Sequence, residues 1–184
     1  VSSLEALESL LRSRSLFFGD FTLASGQQSS YYIDARRTTM SAEGQHLIGA
    51  LGLRAIRDAG WSPSSVGGLT MGADPVAYAI AHASHVAPPP IDAFSVRKAP
   101  KGHGSQRLVE GNLAPGGRAV VVEDVITSGG SALKAVDAVK EQGATVLGVL
   151  AVVDREEGGA EALRQAGLVV VSLTTVKRLG VDLR

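Results

Sequence analysis

Apolar residues recur at helical spacing at Leu4, Leu7 and Leu11, which predicts a first helix over residues 4–14 with Ser3 as its N-cap. The pattern then changes. Phe17, Phe18, Phe21 and Leu23 suggest short strands around a Gly19-Asp20 turn, and residues 30–34 read as another strand. Residues 1–36 thus form a small α+β subregion. From Ser41 onward, helix and strand patterns alternate. Residues 41–59 predict a helix ending at Gly60, with Leu47, Leu51 and Ala55 on one face. A strand over 66–69 follows, then a helix opened by Asp74-Pro75, with Asp74 as N-cap and Pro75 in the first turn. Pro88-Pro89-Pro90 is a stiff connector to a strand over 91–96. Residues 98–113 are polar, glycine-bearing and without period, so they read as a long loop. Strands over 118–122, 145–153 and 168–173 alternate with helices over 131–142 and 159–166.

This alternation implies right-handed βαβ units: an α/β fold with a central, mostly parallel sheet flanked by helices. The unbroken apolar runs fit, since strands buried on both faces lose their polar alternation. Ligands on such sheets bind outside the carboxyl ends of the strands. That rule places residues 69–74, Arg97 onward, 123–131 and Asp154-Arg155 on one rim. A chain of 184 residues, 45% apolar and 20% charged, suits one domain over 1–184 with its own core. Its zero formal net charge argues against general nucleic-acid binding. The lack of cysteine removes disulfides, thiolate metal sites and thiol nucleophiles, and fits a cytoplasmic protein. No apolar run reaches the ~18 residues of a membrane span. Residues 1–5 lack the basic-then-apolar layout of a signal peptide.

The densest chemistry lies at residues 120–131. The apolar run Val120-Val121-Val122 leads into two acids, Glu123 and Asp124, then Val125 and Ile126. The small-residue loop Thr127-Ser128-Gly129-Gly130-Ser131 then opens a helix. The N–H groups of such a loop suit a phosphate. Two adjacent acids repel if both are buried, so a cation or a hydroxyl-rich group should offset them. Together they describe a holder for a phosphorylated sugar. The plainer alternative is a solvated strand end with an ordinary turn. Neither a G-x-x-x-x-G-K-[ST] loop nor a G-x-G-x-x-G fingerprint occurs.

Three further groups share the rim. Arg97, Lys98, Lys101, His103 and Arg107 load positive charge onto the long loop, which could act as a lid over phosphates or simply be mobile and solvated. The segment from Leu69 through Met71 and Gly72 to Pro75 could offer N–H groups to a second phosphate, or be a tight turn into a capped helix. Arg155 could take a carboxylate through a bidentate pair, or form a surface ion pair with Glu156 or Glu157. His82 and His85 lie three apart with no third metal ligand beside them. They read as surface histidines, as does His46.

Together these residues resemble the type I phosphoribosyltransferases and, among them, the orotate enzymes. The run from Val120 to Ser131 is similar to the family's phosphoribosyl diphosphate (PRPP) motif. Arg97-Lys98-x-x-Lys101-x-His103-Gly104 resembles the mobile catalytic loop, here 97–113. Phe21-Thr22-Leu23-Ala24-Ser25-Gly26 with Ser30-Tyr31-Tyr32-Ile33-Asp34 is similar to the N-terminal hood, and Asp154-Arg155 to the orotate-binding arginine. There are two departures. Ala24 stands where many members carry a lysine, and Met71-Gly72 where many carry Tyr-Lys. Both shift expected charge work onto Lys98, Lys101 and His103.

The resemblance implies transfer of the 5-phosphoribosyl group from PRPP to orotate, giving orotidine 5′-monophosphate and diphosphate in pyrimidine (UMP) biosynthesis. It implies Mg²⁺ held through PRPP and water near Glu123 and Asp124, with no direct protein ligand. Glu123 and Asp124 would hold the ribose. Val125, Ile126, Thr127, Ser128, Gly129, Gly130 and Ser131 would cradle the 5′-phosphate. Met71, Gly72, Arg97, Lys98, Lys101 and His103 would meet the diphosphate, with Lys101 and His103 acting in catalysis. Thr127, Arg155, Tyr32 and Ile33 would contact orotate. The working unit would be a homodimer with shared sites, with no nucleic-acid or membrane partner. A purine or uracil as the base, or a PRPP-sensing regulator without catalysis, are the alternatives.

Overall fold

The computed structural model describes residues 2–22, 26, 28–99 and 108–182. Helix α1 (Ser3–Arg14) starts one residue before the apolar spacing suggests, and Ser2, not Ser3, is its cap. The Ser2 hydroxyl accepts from the Glu5 N–H at 3.2 Å, while Glu5 Oε2 accepts from the Ser2 N–H at 2.8 Å. This reciprocal capping box satisfies two end groups at once, which the leucine period alone does not reveal. Strands β1 (Leu16–Thr22) and β2 (Gln28–Ile33) pair antiparallel as a separate ribbon. The expected Gly19-Asp20 turn is instead an irregularity inside β1, where the register shifts between Phe18 and Phe21. Such a bulge bends a strand without ending it. A single turn, α2 (Arg36–Thr39), follows, then α3 (Ala42–Asp58), capped by Ser41 and stopped before Gly60 in the left-handed region at φ 71.

The main sheet holds β3 (Ser65–Leu69), β4 (Asp92–Val96), β5 (Val109–Gly111), β6 (Arg118–Ile126), β7 (Thr145–Asp154) and β8 (Val170–Thr175). Their order is β5-β4-β3-β6-β7-β8. All pairings are parallel except that of β5 with β4. The mostly parallel α/β sheet is thus as expected, but β5 lies inside the stretch read as loop. Val109 opposite Val96 gives that short edge strand its apolar contact. Two corrections fall on the strand ends: β8 runs two residues further than its apolar pattern, and β6 continues past Val122 to Ile126.

Helices α4 (Ala73–Val86), α5 (Gly130–Glu141) and α6 (Gly159–Gln165) cover the sheet together with α1 and α3. Alternate residues of β6 feed two cores. Val120 and Val122 pack with Leu7, Ile48 and Ile80, while Ala119 and Val121 pack with Val136 and Leu163. A strand buried on both faces has no polar face to show, which is why this run is so apolar. Asp74 is not the α4 cap. Gly72 holds that position, and the Asp74 carboxylate accepts from Thr70 Oγ1 at 2.6 Å and Ser95 Oγ at 2.7 Å. It therefore pins the β3–α4 loop to β4. Among the described residues no helix is long and apolar enough to cross a membrane.

The chain passes outward from β3 to β4 on one side and from β6 to β7 on the other. The topological switch lies between β3 and β6. Pairing of β3 with β6 ends at Gly67 opposite Val121, whereas β6 stays paired with β7 as far as Ile126 opposite Asp154. A crevice opens above the end of β3. Just below it, a Cβ on Gly68 would lie 2.2 Å from Val122 O and 2.7 Å from the Ala73 Cβ. Gly68→Ala should therefore destabilise the fold by about 1–3 kcal/mol through overpacking. Chemical denaturation checks this; an unchanged midpoint would show that β3 is free to shift.

Candidate active site

A cavity of about 590 Å³ fills the crevice. Its β6 side is Glu123, Asp124 and Val125, continued by Thr127, Ser128 and Ser131. The loop after β3 adds Met71 and Gly72, and the end of β2 adds Tyr32 and Ile33. Arg155 and Lys98 complete the set of predicted residues that the fold brings together here. Those positions are separated by up to 123 residues of sequence (155 − 32) and meet because the strand ends converge at the switch.

The acids are not at a strand end, as expected, but inside β6, where the β7 ladder holds their backbone. Glu123 is only 6% exposed, and its Oε2 finds no hydrogen-bond partner among the described residues. Burial first, and then the charge of neighbouring Asp124, raise the Glu123 carboxyl to about 9. Asp124 is more open, and its Oδ1 accepts from the Val125 N–H at 2.8 Å. Gly72 lies beside it. A Cβ there would stand 2.6 Å from Asp124 Oδ1, so any side chain at 72 must displace the carboxylate.

A smaller hollow of about 70 Å³ is enclosed by the loop from Ile126 through Gly129 and Gly130 to Ala132. Gly129 takes the left-handed φ of 81 at the N-cap of α5, which turns the strand abruptly into the helix. No side chain caps this helix, so its first N–H groups are available to an anion. Gly159 packs against the loop from behind, since a Cβ there would meet Thr127 O at 2.2 Å.

Arg155 does pair with Glu157, but not at the surface. Its side chain is 7% exposed, and Nη2 lies 2.7 Å from Glu157 Oε1. Glu156 instead faces Lys177. Arg97 does not line the cavity. It pairs with Glu110 at 3.4 Å beside a neighbouring hollow of about 170 Å³ against α5. Lys101 and His103 lie outside the described residues, as does Ala24. His46 and His82 line a separate groove between α3 and α4.

Sequence reasoning missed Arg36 and Asp34, which also line the cavity. Arg36 Nε donates to Asp34 Oδ1 at 3.0 Å, and that bond, with the Asp34 charge behind it, holds the guanidinium above its usual range. The legible signal was an Asp-x-Arg directly after the Tyr-Tyr-Ile strand. Among the described residues, no group of three or more His, Cys, Asp or Glu side chains is placed to hold a metal ion. Asp124 and Glu123 offer hard oxygen atoms, one of them buried and unpartnered, that fit a Mg²⁺ bringing phosphate and water as most of its ligands.

The Glu123 shift has a consequence for stability. The folded chain holds this proton to about 9, and the unfolded chain releases it near 4.5. Between those limits the folded state binds more protons, so ligand-free stability falls as pH rises and levels off above the window. Glu123→Gln keeps the neutral form and should flatten that slope. Denaturation midpoints taken across the window would show it; equal slopes in both proteins would exclude Glu123 as the group.

Comparison with known proteins agrees with this geometry. The phosphoribosyl transferase domain model matches residues 42–173. The orotate phosphoribosyltransferase of Aquifex aeolicus is 48% identical, over 95% of this chain and 96% of its own. The crystal structure of the Mycobacterium tuberculosis orotate phosphoribosyltransferase with Fe(III) dicitrate superposes with a TM-score of 0.88 at 47% identity, covering 98% of this chain and all of that one. The same enzyme in complex with PRPP gives 0.83 at 43% identity, with the same coverage.

Proposed function

The chain belongs to the phosphoribosyltransferase family and, within it, to the orotate phosphoribosyltransferases, and on that footing we propose how its cavity works. The chain transfers the 5-phosphoribosyl group of PRPP to orotate, forming orotidine 5′-monophosphate and diphosphate in pyrimidine biosynthesis. One observation carries this reading. A single cavity is lined at once by the Glu123-Asp124 acid pair, by Thr127, Ser128 and Ser131 of the small-residue loop, and by the buried Arg155.

In this reading the 5′-phosphate sits in the hollow of residues 126–132, on the open N–H groups of α5. Glu123 and Asp124 hold the ribose hydroxyls. The anomeric C–O bond to diphosphate breaks, a C–N bond to orotate N1 forms, and N1 loses its proton. Positive charge grows on the ring and negative charge on the leaving group. Asp124 faces the first of these charges. Lys98, at the cavity, and Lys101 and His103, further along the same loop, serve the second. Arg155 takes the orotate carboxylate, and Tyr32, Ile33 and Thr127 border the base. Glu123 and Asp124 are the residues beside which a Mg²⁺ bound with PRPP would be held, and it would supply charge neutralisation for the diphosphate. Closure of the loop keeps water from the PRPP. The working unit is a cytoplasmic homodimer in which this loop serves the neighbouring site.

The test follows orotate's ultraviolet absorbance with Mg²⁺ and PRPP. Lys101→Ala should lower kcat about 100-fold while leaving orotate affinity nearly unchanged, because its contact belongs to the transition state. Mixing Lys101→Ala with Asp124→Asn subunits should restore part of the rate. Equal losses in kcat and orotate affinity would reject the catalytic role, and no recovery on mixing would reject the shared site.

A further inference from the structure

Arg155 is the base-side charge of the cavity, and its side chain is held from one side. Its own N–H donates to Ile126 O at 3.0 Å, tying it to the strand that carries the acid pair. Its Nε donates to Tyr31 Oη at 3.0 Å, and the Tyr31 hydroxyl in turn donates to Glu157 Oε1 at 2.9 Å. The same Glu157 oxygen lies 2.7 Å from Nη2. The guanidinium carbon stands 4.8 Å from the centre of the Tyr31 ring, near enough for cation–π attraction. Tyr31 itself is only 4% exposed. Nη2 is buried, and its close contact with Glu157 is an ion pair without hydrogen-bond alignment, so its N–H groups point elsewhere.

A buried guanidinium with unused N–H capacity at a cavity wall is costly unless a ligand completes it. An arginine already fixed in place binds a planar carboxylate without first losing its rotamer freedom. The brace also spans the fold. Tyr31 comes from the β1–β2 ribbon and Glu157 from the segment after β7, 126 residues apart. Resting on the reading that Arg155 meets the orotate carboxylate, we propose that Tyr31 and Glu157 are positioning residues for Arg155. They hold its fork toward the cavity and so set the preference for a base bearing a carboxylate.

The test uses Tyr31→Phe, which keeps the ring and removes the hydroxyl, and Glu157→Gln, at a side chain one-third exposed and outside the core. The probes are orotate as substrate and its neutral isostere 6-carbamoyluracil as a competitor. Each variant should raise the orotate KM about tenfold, while kcat, the PRPP KM and the 6-carbamoyluracil inhibition constant stay within about twofold. The double variant should cost less than the product of the two, because both act on one guanidinium. Parallel weakening of both probes, or of PRPP, would reveal a merely structural role and overturn the proposal. An unchanged orotate KM in both variants would overturn it equally. Arg155→Ala separates this from the underlying reading. If it raises the orotate KM while the two brace variants do not, only the positioning role fails. If it leaves the orotate KM unchanged, the assignment of Arg155 to orotate fails as well.

Discussion

The site depends on one mismatch in strand length. β6 outruns β3, so its last residues are supported by β7 alone. Had β3 continued alongside, the backbone beside Glu123 and Asp124 would be taken up by a second ladder and the crevice above β3 would be filled. Had β6 stopped with its valines, the acids would sit on a flexible loop. The switch of direction between β3 and β6 leaves the crevice, and the β7 ladder makes its floor rigid. The phosphate loop is fixed by the same arrangement, since Ile126 ends the ladder and Gly129 turns the chain into α5.

Charge in the cavity is arranged so that little is exposed without a partner. Glu123 keeps its proton because burial disfavours the ion and Asp124 lies next to it. Asp124 is the more open member of the pair, close against Gly72. Arg36 is held by Asp34, and Arg155 by Tyr31 and Glu157. Both arginines are therefore oriented before any substrate arrives, which lowers the ordering cost of binding. A side chain at 72 would have to move the Asp124 carboxylate, the mobile end of its side chain, from its observed place.

Much of this was legible in the sequence. The run of valines into Glu123-Asp124 and the Thr-Ser-Gly-Gly-Ser loop carry their physics locally, in apolar continuity, adjacent like charges and small residues before a helix. The alternation of helices and strands gave the sheet for the same reason. What escaped were features decided at a distance. Asp74 resembles a helix cap until Thr70 and Ser95 claim its carboxylate. Val109 lies in a polar stretch and becomes strand only because Val96 offers an edge. Gly19-Asp20 has turn composition, yet pairing with β2 on both sides carries the strand through it. Arg155 read more readily as a surface partner of Glu156 or Glu157 than as a rim ligand; the fold pairs it with Glu157 at the cavity wall, and no local pattern could show that this ion pair is buried against Tyr31.

The central claim is that one cavity reads a phosphoribosyl donor through the β6 acids and loop, and a carboxylated base through Arg155. The most direct measurement is a competition. PRPP and Mg²⁺ are offered with orotate, uracil, adenine and hypoxanthine at equal concentration, and the nucleotides formed are identified by mass spectrometry. The account predicts orotidine 5′-monophosphate as the dominant product. A purine nucleotide or uridine 5′-monophosphate in its place would contradict it.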